Sequence, residues 1–350
     1  MKAAVYHGPE EVRIEDVPDA GLQQPQDVVV EVDRTAICGS DLHLWHAPEA
    51  PEEPFVVGHE CLGRIVDVGT DVRHFTKGDR VLVSCTAGCG HCRPCRRGDF
   101  AGCVTMTDNM TRTNVFGFSP QLPGGQAEAV RVPFADTNCI TVPDSLDDEQ
   151  ALFITDILPT GFMATEFAEV AAGDTVVVFG CGPVGTFSQM CAMARGASRV
   201  IAVDLDAGRL ERAAQRGCIP CNPKEQDPVQ FVLEATHGDG ADCSIEAVGK
   251  PELITQAAMA TRAGGRVSVV GVIMAPFEIA WPLFLAKNLT LRTGLVTPQT
   301  FAGRLLALIE QDRIDPREII SHRLPLSDVS EAYRMFADHQ DDVLKVVLET

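Results

Sequence analysis

Residues 174–196, DTVVVFGCGPVGTFSQMCAMARG, decide the fold class. The apolar, mostly β-branched run Thr175–Phe179 reads as a buried strand. A glycine turn follows, Gly180-x-Gly182-x-x-Gly185, and then Phe187, Met190 and Ala194 recur at helical spacing. Alone, G-x-G-x-x-G is a weak signal. Residues 197–217, ASRVIAVDLDAGRLERAAQRG, supply the context: a second strand ends in Asp204, about 20 residues beyond the turn. Strand, glycine turn, helix and a second strand ending in an acid form the dinucleotide fingerprint. The glycines let the backbone approach a pyrophosphate seated on the helix N-terminus. Gly180, Gly182 and Gly185 are thus candidate cofactor contacts, and Asp204 would accept hydrogen bonds from the adenosine ribose hydroxyls and repel a 2′-phosphate. That preference points to NAD over NADP.

Working outward, residues 228–250 supply another helix and strand, and residues 251–272 a further pair. The alternation predicts a parallel sheet with crossover helices. Upstream the pattern changes. Short alternating segments such as DVVVEVDRTAI (27–37), GRIVDVG (63–69) and GDRVLV (78–83), split by Gly, Pro and Asp, predict an antiparallel barrel or sandwich over about the first 155 residues. Beyond residue 296 the sequence reads as two amphipathic helices and a final strand able to return to the first domain.

Composition narrows the function. The chain has 350 residues, 45% of them hydrophobic, which suits a globular protein of one large or two medium domains. No apolar run reaches the roughly 20 residues that span a bilayer, and MKAAVYHGPEEVRIEDV lacks the features of a signal peptide. A cytoplasmic location without membrane partners is therefore expected. A formal net charge of −20 works against binding nucleic acid, whose phosphates are held mainly by Lys and Arg.

Cysteines are clustered as well as numerous. CTAGCGHCRPCRRGDFAGC, residues 85–103, holds five of the chain's 13. In a reducing compartment, clustered thiols read as metal ligands before disulfides. The spacing Cys89-x2-Cys92-x2-Cys95-x7-Cys103 suits a closed, four-coordinate structural zinc site, and Cys85 falls outside it as a spare thiol. A second set is dispersed: Cys38, Ser40, Asp41 and His43 in AICGSDLHLW, His59 and Glu60 in VVGHECLG, and Asp156 in FITDILPTGF. Singly, each has an ordinary reading as core, strand end or helix cap. Together, Cys, His and carboxylate would form a catalytic zinc site with one open position.

With CGSDLH (38–43), GHE (58–60), the four-cysteine lobe, GCGPVG (180–185), VDLDAGR (203–209) and LKVVL (344–348) in this order, the chain resembles the zinc-dependent medium-chain alcohol dehydrogenases over essentially its whole length. The resemblance implies a GroES-like β-barrel catalytic domain over residues 1–158, including the zinc lobe, and a Rossmann doubly wound parallel sheet over 159–295. Residues 296–350 would return to the catalytic domain. It makes Cys38, His59 and Asp156 ligands of a catalytic zinc, with Glu60 an alternate ligand paired with Lys345 and Asp41 orienting His59. Two zinc ions per chain follow. Thr160 and Val184 fall where the family contacts nicotinamide, Arg209 where a cation accompanies the ribose, and Val270 and Val272 complete the cofactor positions. Gly39 stands where many relatives carry a basic residue, which removes one pyrophosphate contact.

The implied reaction is reversible hydride transfer between a primary or secondary alcohol, with its aldehyde or ketone, and NAD. Ser40 takes the alcohol proton and His43 releases it to solvent. SPQLPGGQAEAVRVPFADTN (119–138) and TDILPTGF (155–162) look most like the branch of formaldehyde-dehydrogenase-like enzymes, without the long extra segment of the glutathione-independent formaldehyde dehydrogenases. Leu44, Trp45, Phe116, Phe118 and Met274 are candidate pocket residues. A polyol or amino-alcohol dehydrogenase is the nearest alternative; a zinc-independent quinone or enone reductase should lack the Cys38, His59 and Asp156 set, and a non-enzymatic zinc module should not bind nicotinamide. The family forms homodimers and homotetramers.

Overall fold

The computed structural model describes residues 1–107, 113–274, 276–338 and 342–350. They divide into two units, Thr160–Leu295 and the remainder, Met1–Pro159 with Val296–Thr350.

In the unit Thr160–Leu295, six strands run parallel in the spatial order Ile219–Cys221, Arg199–Val203, Thr175–Phe179, Ala241–Glu246, Thr261–Val269, Thr290–Thr293. Alternation explains why Thr175–Phe179 is apolar throughout. Val176 and Val178 pack into the core on one face, while Val177 and Phe179 pack into a separate core on the other. The chain leaves this strand for Arg199–Val203 on one side and returns to Ala241–Glu246 on the other, so strand order reverses there. Ligands of open α/β sheets bind outside the strand ends at such a reversal. The two outer strands, of three and four residues, and the helix Trp281–Ala286 were not read from sequence. Runs that short carry too little periodicity to register.

The other unit contains a seven-stranded sheet built round Val28–Ala36, which pairs with Glu60–Val68, Ala129–Val132 and the C-terminal Val346–Glu349. A smaller sheet joins Glu11–Asp16, Lys2–Gly8 and Phe55–Val56. Pairing is antiparallel except between His322–Pro325 and Val346–Glu349, which run parallel. Register sets the chemistry. Ala36 pairs with both Glu60 and Val347, so the chain just past Ala36 lies beside His59–Glu60 and beside Lys345. Asp156 follows the 3-10 turn Phe153–Thr155, tied just beyond the end of the strand Arg80–Val83 by the Cys85 N–H donating to Thr155 O at 2.9 Å. Among the described residues no helix is long and apolar enough to cross a membrane.

Candidate metal centres and cofactor turn

The lobe gathers its thiols within a short loop and the 3-10 turn Cys95–Arg97. Cys92 Sγ lies 3.3 Å from Cys95 Sγ and 3.8 Å from Cys103 Sγ, and Cys89 Sγ lies 4.0 Å from Cys95 Sγ. A disulfide would need about 2.05 Å. Tetrahedral zinc with Zn–S bonds of about 2.3 Å puts its sulfurs about 3.8 Å apart, which these separations straddle. Backbone N–H groups of Cys89 and Cys92 donate to Cys103 Sγ and Cys89 Sγ. Burial raises the Cys89 thiol, but hydrogen bonds from Thr105 and the loop backbone outweigh it and bring it down to about 6. At Cys92 too, desolvation is outweighed by backbone and side-chain hydrogen bonds with Cys95, which lower the thiol, whereas burial raises Cys95 and Cys103. The loop thus favours thiolate, the form that binds metal, at two of the four positions.

The dispersed residues also meet. Ligand atoms of Cys38, His59, Glu60 and Asp156 all lie within 4.8 Å of one another, and all four side chains are buried. Asp156 Oδ2 is 3.2 Å from Cys38 Sγ and 3.3 Å from His59 Nε2, edges that a tetrahedral zinc with mixed N, O and S ligands would span at about 3.3 to 3.6 Å. Ser40 Oγ stands against two of these ligand atoms, 3.2 Å from Cys38 Sγ and 3.1 Å from His59 Nε2. Behind His59, Nδ1 faces Asp41 Oδ1 at 3.3 Å, close enough for ion pairing but misaligned for a hydrogen bond. Asp41 Oδ2 accepts the Cys38 N–H at 2.9 Å.

Glu60 is held from behind. Lys345, fully buried, donates to Glu60 Oε1 and to Ile37 O, both at 2.7 Å. Burial opposes the Lys345 charge, but Glu60 and its neighbours hold the ammonium above its usual pKa. Glu60 Oε2 is buried with no hydrogen-bond partner. Burial, with Asp156 and Glu60 beside it, pushes the Cys38 thiol up to about 11. Burial disfavours a charged His59 too, yet Asp41, Cys38 and Asp156 together hold it well above 6.5. An orphaned carboxylate oxygen, a thiol denied ionisation and an imidazole ringed by anions form a set that a divalent cation satisfies at once, displacing the Cys and His protons. The residues fit zinc.

Other candidates from sequence are placed as follows. His43 is exposed on the helix Asp41–Trp45, its pKa lowered first by partial desolvation and then by His46. Of the pocket candidates, Phe118 comes to the cluster, its ring 5.4 Å from that of His59. Trp45 and Phe116 are core instead: Trp45 stacks on buried Tyr333 and Phe116 fills the core beneath the larger sheet. Leu44 packs partly on that Tyr333 cluster, and Met274, 77% exposed in the other unit, packs on little. Cys85, a spare thiol by spacing, is engaged in the structure: its Sγ donates to Asp156 Oδ1 at 3.4 Å. Gln126 and Tyr333, which back Asp41 through a Tyr333 Oη to Gln126 Oε1 bond of 2.9 Å, were missed altogether. No local spacing signals either contact.

In the parallel-sheet unit the three glycines differ in role. Gly180 has φ +98°, in the left-handed region glycine favours. A Cβ at Gly185 would lie 2.0 Å from Gly180 O, so only glycine lets helix Pro183–Ala194 close on the strand. A Cβ at Gly182 would meet only Arg209 Nη1, at 3.9 Å, leaving the turn's outer face open beside a guanidinium. Asp204 accepts the Cys181 N–H at 2.7 Å and the Asp206 N–H at 2.9 Å, so it also shapes the turn. Val184 lies half-buried in the helix's first turn, and Thr160 half-buried in Ile157–Phe167. Val270 donates to Glu246 O at 2.9 Å, and a Cβ at Gly249 would lie 2.4 Å from Val272 O; one at Gly180 would meet Val248. These loops thus line one edge of the sheet.

Comparison with known proteins agrees with both units. The family "Alcohol dehydrogenase GroES-like domain" matches residues 24–144, and "Zinc-binding dehydrogenase" matches residues 183–311. The chain is 36% identical to an uncharacterised zinc-type alcohol dehydrogenase-like protein, AdhB, of Bacillus subtilis (strain 168), covering 100% of both. Among solved structures it resembles alcohol dehydrogenase TADH from Thermus sp. ATN1, at TM-score 0.91 and 38% identity over 100% of this chain and 99% of that one. A zinc-binding dehydrogenase of Sinorhizobium meliloti 1021, described as putative and bound to NADP, matches at TM-score 0.84 and 26% identity, over 100% and 99% of the two chains.

Proposed function

We propose, from the premise that the chain belongs to the zinc-dependent medium-chain alcohol dehydrogenase family, that it interconverts a primary or secondary alcohol and its aldehyde or ketone with NAD as hydride acceptor. The observation that carries this reading is the convergence of Cys38, His59, Glu60 and Asp156 ligand atoms within 4.8 Å in a buried cluster. Bound zinc supplies Lewis acidity to the substrate oxygen, and bound nicotinamide supplies the hydride acceptor.

The chain's own groups do the rest. Cys38, His59 and Asp156 hold the metal, and Asp41 behind His59 keeps Nε2 turned inward. Lys345 fixes Glu60 by one oxygen, leaving Oε2 without a hydrogen-bond partner and available as a reserve ligand. The Ser40 hydroxyl, against the ligand atoms Cys38 Sγ and His59 Nε2, is placed to take the alcohol proton. His43, with its lowered pKa, is neutral near pH 7 and able to receive a proton bound for solvent. Gly182 and the first turn of Pro183–Ala194 offer open backbone N–H groups to a pyrophosphate. Because a solved neighbour holds NADP, the preference for NAD rests on this chain's Asp204, whose carboxylate keeps lone pairs for ribose hydroxyls beyond its two backbone bonds.

The test is zinc per chain by mass spectrometry on wild type and Cys38→Ala, with NADH production from a panel of alcohols on the same samples. Two zincs falling to one, with alcohol oxidation reduced about 10³-fold or more and unfolding temperature kept, is the expected result. Wild-type protein holding one zinc, with a Cys38→Ala variant that keeps both its metal and its turnover, would overturn the reading.

A further inference from the structure

Cys85 belongs to neither zinc-type cluster, yet it lies 2% exposed against the residue that completes one of them. Its Sγ is 3.4 Å from Asp156 Oδ1, while the other oxygen of that carboxylate, Oδ2, faces Cys38 Sγ at 3.2 Å and His59 Nε2 at 3.3 Å. The backbone of Cys85 is anchored on both sides. Its N–H donates to Thr155 O at 2.9 Å, and its carbonyl accepts the Phe116 N–H at 3.0 Å. Asp156 itself ends the 3-10 turn in an irregular conformation, φ −154° and ψ −74°, that no helix or strand ladder imposes. One residue therefore grips both the peptide before Asp156 and the outward oxygen of its side chain.

We infer that Cys85 is a positioning residue for the catalytic zinc, its thiol donating to Asp156 Oδ1 so that Oδ2 alone points into the ligand set. The inference rests on the reading that Cys38, His59 and Asp156 hold the metal. A carboxylate can bind a cation through one oxygen or both, and a hydrogen bond to the second oxygen selects the first mode. One-oxygen binding keeps zinc four-coordinate with a place for substrate. Without a donor at position 85, Oδ1 loses this restraint against swinging toward the metal or turning away with the side chain. Cys85 is not an extra ligand in this account, since the mutually close set of ligand atoms excludes it.

The experiment uses zinc-loaded full-length protein and a chromogenic zinc chelator, with release followed over time. Cys85→Val keeps nearly the shape of cysteine and removes the donor; Cys85→Ser keeps a donor. Cys38→Ala identifies which release phase belongs to the dispersed site, and the four-cysteine phase is an internal control. The expected result is release from the dispersed site about 10 to 100-fold faster in Cys85→Val and within about threefold of wild type in Cys85→Ser. In cobalt(II)-loaded protein the visible d–d bands should shift in Cys85→Val and return in Cys85→Ser. Wild-type release and spectra in Cys85→Val, or equal acceleration in both variants, would overturn the inference while leaving the zinc site standing. A wild-type protein with no phase that Cys38→Ala removes would overturn both. Should Cys85→Val not fold, Cys85→Ala takes its place with the same two readouts.

Discussion

The four-cysteine lobe and the Cys38, His59, Asp156 cluster put metal-ligand atoms at similar separations, but they are assembled in opposite ways. The lobe draws Cys89 and Cys103 from positions 14 residues apart, and its own loop backbone donates to the sulfurs. The dispersed cluster joins Cys38 to Asp156 across 118 residues, and its supports come from as far as Lys345, 285 residues beyond Glu60. A local site is held by a loop that the metal itself can order, whereas a dispersed site exists only once the sheet has formed. The difference assigns stability to one metal and chemistry to the other. The dispersed cluster keeps an orphaned carboxylate oxygen, Glu60 Oε2, where the lobe is all sulfur.

The sharpest way to break that division is to cross the two sites. Cys103→Ala, at a fully buried ligand position, should lose the lobe's zinc and about 3 to 5 kcal/mol of stability, or roughly 10 °C in unfolding temperature. Turnover per folded molecule should stay within about threefold. Cys38→Ala should do the reverse. Calorimetry and metal analysis on both variants decide it: a Cys103→Ala protein with unchanged unfolding temperature but lost turnover would exchange the two roles.

Legibility in the sequence followed the same local and dispersed division. Thr175–Phe179, the glycine turn and Asp204 are contiguous, and their periodicity and spacing were enough to place a parallel sheet and its ligand edge. The lobe was legible for the same reason. The dispersed ligands, read singly, are indistinguishable from core and cap residues; taken together their residue types suggest a zinc site, and the family resemblance is what gives that grouping its weight. Phe118, Trp45 and Phe116 show the limit. All three are aromatic and near a motif, but side-chain direction, which the sequence does not carry, sends one toward His59 and two into the core. The contacts of Cys85 with Asp156 and of Tyr333 with Gln126 span 71 and 207 residues, so no spacing rule reaches them.

Asp204 tests whether a locally legible residue does only what its motif says. In the structure it closes the turn, through the Cys181 N–H, and the proposed function adds contact with a ribose. Loss of turn geometry would weaken NAD and NADP alike, whereas loss of the carboxylate's charge would favour NADP relative to NAD. Asp204→Ala is expected to raise the KM for NAD about 10 to 100-fold, as for a lost hydrogen bond to a charged group, and to shrink the NAD to NADP ratio of kcat/KM by at least as much. Equal losses with both cofactors would make Asp204 a turn residue only; unchanged NAD affinity would remove it from the site.

The smallest expected effect belongs to His43, the candidate least bound to either cluster. Partial desolvation and then His46 lower its pKa, so the folded protein binds this proton less readily than the unfolded chain does. Stability should therefore fall as pH drops from about 6.5 toward the lower native value, because the unfolded state takes up more protons across that window. The same titration should act on turnover: above the window the imidazole is neutral and can accept the proton that Ser40 passes on, and below it the acceptor is already filled. His43→Ala is expected to lower kcat about 3 to 10-fold at neutral pH, to lose that acidic limb, and to recover part of the rate when imidazole is added to the buffer. A pH profile identical to wild type, with no response to imidazole, would show that the proton leaves by another route and would confine the chemistry of the dispersed region to the metal ligands and Ser40.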